Sequence, residues 1–333
     1  MGGGELFERE GEVRAVEALL ERACGGHGGL AVILGEPGIG KTRLLAHARR
    51  HAEAHSCRVL CARGSELESV LSFGVARQLL ETEDGPPRLE AGGDLAVIMR
   101  LHSELAARAA EGPLVLTVDD AQWADEPSLR FLAHIALRLE ELAVALLVAA
   151  RSGPGTASGQ LLDQLTTASG ATLLAPRVLS EAAVGALVRK ELGEGDEEVV
   201  RACARASGGN PFYLREMLRA LAAEDEPVRA EDIRQVVPEA VLSALMVRLA
   251  RLGPDETALA RAAAVLGDGT PLRLVAALAE LLSVEAERAA DRLASAHVLA
   301  PGEPVRFAHP LIGGAIERDL GEFARARMHR SAA

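Results

Sequence analysis

Aromatic side chains are nearly missing from this sequence, with one Trp, one Tyr and six Phe among 333 residues. Its core must therefore be filled by Ala, Leu and Val, which favours helices. Cysteine is scarce as well. Cys24, Cys57, Cys61 and Cys203 form no C-x-x-C pair and have no metal-ligand spacing, which excludes a disulfide framework or a zinc ribbon and fits reduced thiols in a cytoplasmic protein. Positive charge is in deficit. The formal net charge of −12 argues against broad, non-specific binding to nucleic acid or to an anionic membrane, though not against a local basic patch. Long apolar runs are absent too. The longest, "LAVALLVAA" at 142–150, falls far short of the roughly 20 residues needed to cross a bilayer, and "MGGGELFERE" at the start has no secretory h-region. The expectation is a cytoplasmic chain of two or three domains.

Lysine is the rarest basic residue. Arginine supplies nearly all the positive charge, and lysine occurs only at Lys41 and Lys190. Lys41 lies in "GEPGIGKTRLL" (35–45), which spells G-x-x-x-x-G-K-T. With glycine near one residue in ten and lysine under one in a hundred, chance matches to this pattern are expected on the order of one in a thousand chains of this length. The context agrees. "LAVIL" (30–34) reads as a buried strand, and "KTRLLAHARRHAEAH" (41–55) has helical apolar spacing at Leu44, Leu45 and Ala48. Strand, glycine-rich turn, helix is the setting of a Walker A phosphate loop. There Gly35, Gly38 and Gly40 allow a tight turn, and Glu36, Pro37, Ile39, Thr42 and Arg43 complete the loop and its helix entry. Successive amides at the helix N-terminus can then face a phosphate. Lys41 would reach the β- and γ-phosphate oxygens, and the Thr42 hydroxyl would ligate Mg²⁺.

Such a loop needs a carboxylate partner for the metal. "PLVLTVDDAQWAD" (113–125) offers an apolar strand ending in Asp119 and Asp120. Two adjacent acids are often just a solvated strand end. After an apolar strand in a chain with this loop, they instead suggest Asp119 as the Mg²⁺ carboxylate, through water, and Asp120 as the group that orients or deprotonates the attacking water. Arg151 directly follows the apolar strand "ALLVAA". It is either a solvated strand-end arginine or a cation contacting the γ-phosphate.

Five strands are expected at 30–34, 58–62, 114–118, 143–149 and 171–175. They alternate with helices at 40–55, 67–81, 95–110, 126–140 and 159–168, the pattern of a parallel α/β sheet with ligands at the carboxyl ends of its strands. Beyond residue 176 only helices follow, at 180–192, 196–206 and 212–223, then a linker at 224–232 and helices at 238–252, 255–266, 272–281 and 284–296. "HVLAPGEPVRFAHP" reads as two short strands around a Pro/Gly turn, with a last helix from about Leu311. Three helices and a hairpin make a winged-helix pattern. The expected domains are a P-loop nucleotide-binding domain at 1–176, an all-α lid at 177–228 and a winged-helix domain at 229–333.

Taken in order, "LFEREGE" (6–12), "GEPGIGKTRLL", "FGVARQLLE" (73–81), "LVLTVDDAQWADEPSL" (114–129), "VALLVAARS" (144–152), "ASGGNPFYLREML" (206–218) and "VRFAHPLIGGAIERDL" (305–320) resemble the STAND branch of the AAA+ P-loop ATPases. The likeness is to the N-terminal module of the large ATP-binding LuxR-type transcriptional regulators of actinobacteria, and it covers essentially the whole chain. It implies an ATP- and ADP-binding, Mg²⁺-dependent, slow ATPase that acts as a switch, with nucleotide-dependent self-association and an inducer or protein partner that the sequence does not name. It further implies that Arg9 lies in a segment packing against adenine, that Pro211 lies against the base, and that His309 contacts the ADP β-phosphate. The bland alternative for His309 is a surface residue of the wing. Glu8 departs from the glycine usual in the first motif. Full-length members continue into sensor repeats and a LuxR-type DNA-binding domain. The expectation is that both are absent here, and that this chain does not itself bind a specific DNA sequence. A DNA-binding AAA+ protein of the origin-recognition or loader type, and a catalytically silent scaffold, are the alternative readings.

Overall fold

The computed structural model describes residues 6–332 apart from 83, 84, 86, 88–92, 152–156, 194, 195, 223–228, 234–241, 243, 244, 247, 248, 251 and 297. The chain divides into two compact units, Met1–Arg177 and Val178–Ala333.

The first unit runs α1 (Glu10–Cys24), β1 (Gly29–Leu34), α2 (Lys41–Ala54), β2 (Arg58–Arg63), α3 (Gly74–Leu79), α4 (Asp94–Glu111), β3 (Leu114–Asp119), α5 (Glu126–Ala136), β4 (Val144–Ala150), α6 (Ala157–Thr167) and β5 (Thr172–Leu174). The five strands form one parallel sheet in the order β2-β3-β4-β1-β5. Its central strands are near-continuous runs of Val, Leu, Ile and Ala because both faces are covered. Strand alternation divides them cleanly. Leu30, Val32, Leu116, Val118, Leu146 and Val148 pack on one face with residues of α3 to α6, whereas Ala31, Ile33, Val115, Ala145, Leu147 and Ala149 pack on the other with α1 and α2. Full burial of each Val, Leu or Ile contributes about 1.5–3 kcal/mol, so this sheet is a rigid base for the loops at its carboxyl edge.

The helix expected over 67–81 is broken. A 3-10 turn covers Glu66–Glu68 and α3 begins only at Gly74. The cause lies far away in sequence. The buried Asp125 carboxylate accepts hydrogen bonds from Phe73 N at 2.7 Å and Val75 N at 3.3 Å, and Phe73 takes a left-handed φ of 59° to present them. The same carboxylate N-caps α5 through Ser128 N at 2.9 Å. Asp125→Ala strands these amides and should cost about 2–4 kcal/mol. Urea unfolding followed by the fluorescence of Trp123, the single tryptophan, reads this directly. An unchanged midpoint would mean that the carboxylate does not organise the loop. The helix expected over 126–140 also ends early, at Ala136, with a 3-10 turn at Leu139–Glu141.

All four cysteines are free thiols. Cys24 at the end of α1 and Cys57 before β2 bring their Sγ atoms to 3.0 Å. Burial, then the hydrogen bond with Cys24, pushes the Cys57 thiol up to about 12.

The second unit is helical: α7 (Glu181–Leu192), α8 (Glu197–Ser207), α9 (Pro211–Ala222), α10 (Ala230–Ile233), α11 (Pro254–Leu266), α12 (Leu272–Leu278), α13 (Ser283–Ser295), α14 (Pro310–Asp319) and α15 (Glu322–Ala332), with further helical positions between 242 and 252. The helix expected at 238–252 and the linker at 224–232 lie partly outside the described residues. Among the described residues, the hairpin expected near residue 300 pairs through one isolated antiparallel bridge, Leu299 with Phe307, while a second bridge ties its later limb at Val305 to Thr270. Ala300 N donates to Arg306 O and Ala308 N to Val298 O, so the two limbs pair without forming extended strands. No described helix is long and apolar enough to cross a membrane.

Candidate functional site

The loop between β1 and α2 is a compact turn. Gly38 and Gly40 take φ values of 81° and 108°, a left-handed region costly for any side chain, and Ile39 N donates to Glu36 O. Gly40 is the N-cap of α2, so the first amides of that helix lack intrahelical acceptors. Lys41 is buried and folds over its own loop, donating from Nζ to Gly35 O at 2.7 Å and Glu36 O at 2.9 Å. Burial, then the charge of Arg151, lowers the Lys41 pKa to about 8 against the pull of Asp120, Asp119 and Glu36.

Thr42 and Asp119 are 77 residues apart in sequence, yet the Thr42 hydroxyl donates to Asp119 Oδ2 at 2.7 Å. The strand order brings them together, because β4 alone separates β1, which leads into α2, from β3, which ends at Asp119. A hydroxyl and a buried carboxylate placed side by side at a phosphate-type loop are the donor set that Mg²⁺ takes when bound with a nucleotide, so the residues fit that ion. Asp119 Oδ1 accepts from Asp120 N at 3.0 Å, which fixes the carboxylate plane.

Asp120 sits at a φ of 49° and is held from two sides. Its Oδ2 accepts from Arg63 at 2.7 and 3.1 Å, and its Oδ1 accepts from Gln122 Nε2 at 3.0 Å. Burial alone would push this carboxyl up. The hydrogen bonds of Gln122 and Arg63 and the charges of Arg63 and Arg151 outweigh that and hold its pKa below the usual carboxylate range. The Arg63 guanidinium is largely exposed, so the ion pair orients more than it stabilises. Gln122 has a second bond: its Oε1 accepts from Arg151 N at 3.0 Å. The Arg151 guanidinium lies 5.9 Å from the Trp123 ring centre. One loop thus connects the ends of β2, β3 and β4.

Arg63, Gln122 and Gly64 also belong to this cluster, and sequence reasoning passed over them. Arg63 is paired in register with Asp119, a relation visible only once β2 is known to neighbour β3. Gly64 follows it. A Cβ there would lie 2.3 Å from Asp120 O and 3.0 Å from Ala124 N, so only glycine lets β2 approach the acidic loop this closely.

Arg9 is buried and ties backbone together. It donates to Glu8 O at 2.8 Å, Ile39 O at 3.3 Å and Arg177 O at 2.5 Å. Glu8, at the position where the resembled motif has glycine, takes a left-handed φ of 52°, the conformation glycine adopts without strain. Pro211 and His309 belong to the second unit. Pro211 is the first residue of α9, preceded by Asn210, whose Oδ1 accepts from Phe212 N. His309 caps α14. Its Nδ1 accepts from Leu311 N and its Nε2 bonds Ser207 O, which assigns the proton to Nε2, and its ring lies 4.1 Å from that of Tyr213.

Residues 5–148 match the AAA ATPase domain family. Among curated proteins, an uncharacterised protein of Rhizobium meliloti is 28% identical over an alignment that covers 98% of this chain; the chain spans 36% of that relative's length. Among solved structures, a Walker-type ATPase of Pyrococcus abyssi superposes with a TM-score of 0.64 at 15% identity, covering 93% of this chain and 96% of that one. The ORC2 protein of Aeropyrum pernix, solved with ADPNP and ADP, gives a TM-score of 0.56 at 14% identity, covering 98% and 95%. The ORC1 protein of the same organism, solved with DNA, gives 0.52 at 16% identity, covering 97% and 94%. At these identities the likeness shows the fold, that of a P-loop AAA+ ATPase.

Proposed function

We propose that this chain binds and slowly hydrolyses ATP as a nucleotide-controlled switch, the cytoplasmic STAND-type ATPase module of a LuxR-type transcriptional regulator. The observation that carries the reading is the Thr42–Asp119 hydrogen bond beside Lys41, with Asp120 held one residue further on. Lys41 and the first amides of α2 would bind the phosphates, and Thr42 with Asp119 would hold Mg²⁺. That ion neutralises charge on the β- and γ-phosphates when it is bound. Asp120 orients the attacking water and accepts its proton, and Arg151, steadied by Trp123 and by Gln122 on its amide, offers positive charge at the γ-phosphate side.

Slowness follows from the resting state of Asp120. A carboxylate already accepting three hydrogen bonds, with its pKa held low, is a weak base until Arg63 releases it. A site that waits for rearrangement suits a switch better than a motor. The second unit's three helices and paired limbs, α11 to α13 with the bridges near residues 299 and 307, support a winged-helix reading. Nucleotide-dependent self-association and an inducer or protein partner complete the proposal.

A second reading, a DNA-binding protein of the origin-recognition or loader type, is favoured by the near full-length superposition on the two Aeropyrum ORC proteins. The charge of −12 weighs against it, since phosphate-backbone contacts need Lys and Arg in excess. Denaturing the purified protein and identifying the nucleotide released separates the two. Near-stoichiometric ADP is the outcome expected of a closed switch. An empty site with rapid, DNA-stimulated turnover would replace the switch with a loader.

A further inference from the structure

Away from the phosphate loop, three potential metal ligands converge on the opposite part of α2. His47 and His51 are four residues apart on that helix, so they share a face. Glu17 faces them from α1. The ligating atoms all lie within 4.8 Å of one another. His47 Nε2 is 3.0 Å from Glu17 Oε1, and His51 Nδ1 is 3.5 Å from the same oxygen. Tetrahedral zinc bonds of about 2.0–2.1 Å imply ligand-to-ligand edges of about 3.3 Å, so two edges of such a site stand close to their bound length.

The scaffold behind them is firm. Val16, Leu19 and Leu20 of α1 pack with Leu44, Leu45 and Ala48 of α2 in one buried cluster, which fixes the spacing of the two helices. The His51 ring is steadied by stacking on His55, 4.3 Å between centres and 24° between planes, while His55 Nδ1 bonds His51 O. The three ligand side chains keep 20–30% exposure, enough for an ion to enter from solvent.

We infer that Glu17, His47 and His51 form a binding site for a zinc-type divalent cation, with water at the remaining position. Two imidazoles and one carboxylate suit Zn²⁺, whereas Mg²⁺ and Ca²⁺ favour all-oxygen sites such as the Thr42–Asp119 pair. A bound ion joins α1 to α2, the helix that begins at Lys41, and stabilises the first unit by mass action.

The test is calorimetric titration of ZnCl₂ into the full chain, made without a histidine tag, stripped with EDTA, desalted and held in excess MgCl₂ to fill oxygen sites. One equivalent of Zn²⁺ is expected, with affinity at least ~10-fold weaker in His47→Ala, His51→Ala and Glu17→Gln. His51→Asn serves where the alanine variant is unstable. Zinc should raise the melting temperature of the wild type and not that of the His51 variants. The double variant Cys24→Ser/Cys57→Ser should bind as the wild type does; loss of the equivalent there would place the ion on the thiols and overturn the proposal. So would undetectable binding in the wild type, or equal binding in every histidine variant.

Discussion

Lys41→Ala should weaken ATP and ADP binding by about 10²–10⁴-fold, since two charge-assisted hydrogen bonds of roughly 1.5–3 kcal/mol each are removed with the ammonium. The loop carbonyls of Gly35 and Glu36 lose their donor at the same time. Fluorescent-nucleotide titration reads the effect, and wild-type affinity in the variant would dismiss the phosphate cradle. A pH dependence accompanies it. Lys41 has a pKa lowered from 10.5 to about 8, so the free protein loses this charge as pH passes 8. Phosphate charge favours the ammonium, so nucleotide binding takes up a proton there, and affinity should fall from pH 7 to pH 9. The sign for folding is the reverse. Below pH 8 both folded and unfolded chains carry the proton and the burial penalty is fully present. Between about 8 and 10.5 the unfolded chain holds more protons, so this residue's contribution to stability rises with pH. Calorimetry at pH 7, 8 and 9 in buffers of different ionisation enthalpy checks the binding half, and an affinity flat over that range would show that another group governs it.

Asp120→Asn should leave nucleotide affinity within a few-fold of the wild type while hydrolysis falls about 10²–10⁴-fold, the usual worth of a positioned general base. Asparagine keeps the size of the side chain but gives up the charge that Arg63 grips at 2.7 Å. Single-turnover hydrolysis with saturating Mg-ATP separates the two quantities. Ordinary turnover in the variant would move the base elsewhere. Arg63→Ala makes the complementary case. Freed of that arginine, the Asp120 carboxyl rises toward its ordinary pKa and becomes the stronger base, so basal hydrolysis should increase several-fold at unchanged affinity. A fall would mean that Arg63 itself is needed in the reaction.

The glycine-rich turn and the acidic strand end were legible because each is a contiguous stretch whose local chemistry is sufficient: glycines where φ turns positive, lysine and threonine at a helix entry, two acids at the tip of an apolar strand. The five parallel strands were equally plain from runs of Val, Leu and Ile. Which strands lie side by side was not. Arg63 is an ordinary strand-end arginine until β2 is set beside β3, and strand order leaves no trace in local periodicity. The expected helix over 67–81 failed for a related reason. Its pattern was helical, but Asp125, some 50 residues on, draws the amides of Phe73 and Val75 out of register. Glu8 shows the converse. Glutamate stands where the resembled motif has glycine, yet the backbone there takes a left-handed turn, a conformation favourable to glycine.

Arg9 carries a practical lesson about where this protein can be cut. Its guanidinium spans Ile39 in the phosphate loop and Arg177, the last residue of the first unit, while lying ahead of the first strand by twenty residues. A shortened version designed around the sheet alone, starting at Gly29, would keep every strand and every residue of the glycine-rich motif, yet its loop would have lost the clasp that joins the two ends of the unit. It would also lose α1, whose Val16, Leu19, Leu20 and Ala23 cover one face of the sheet, so trimming should be tolerated up to Glu8 and no further.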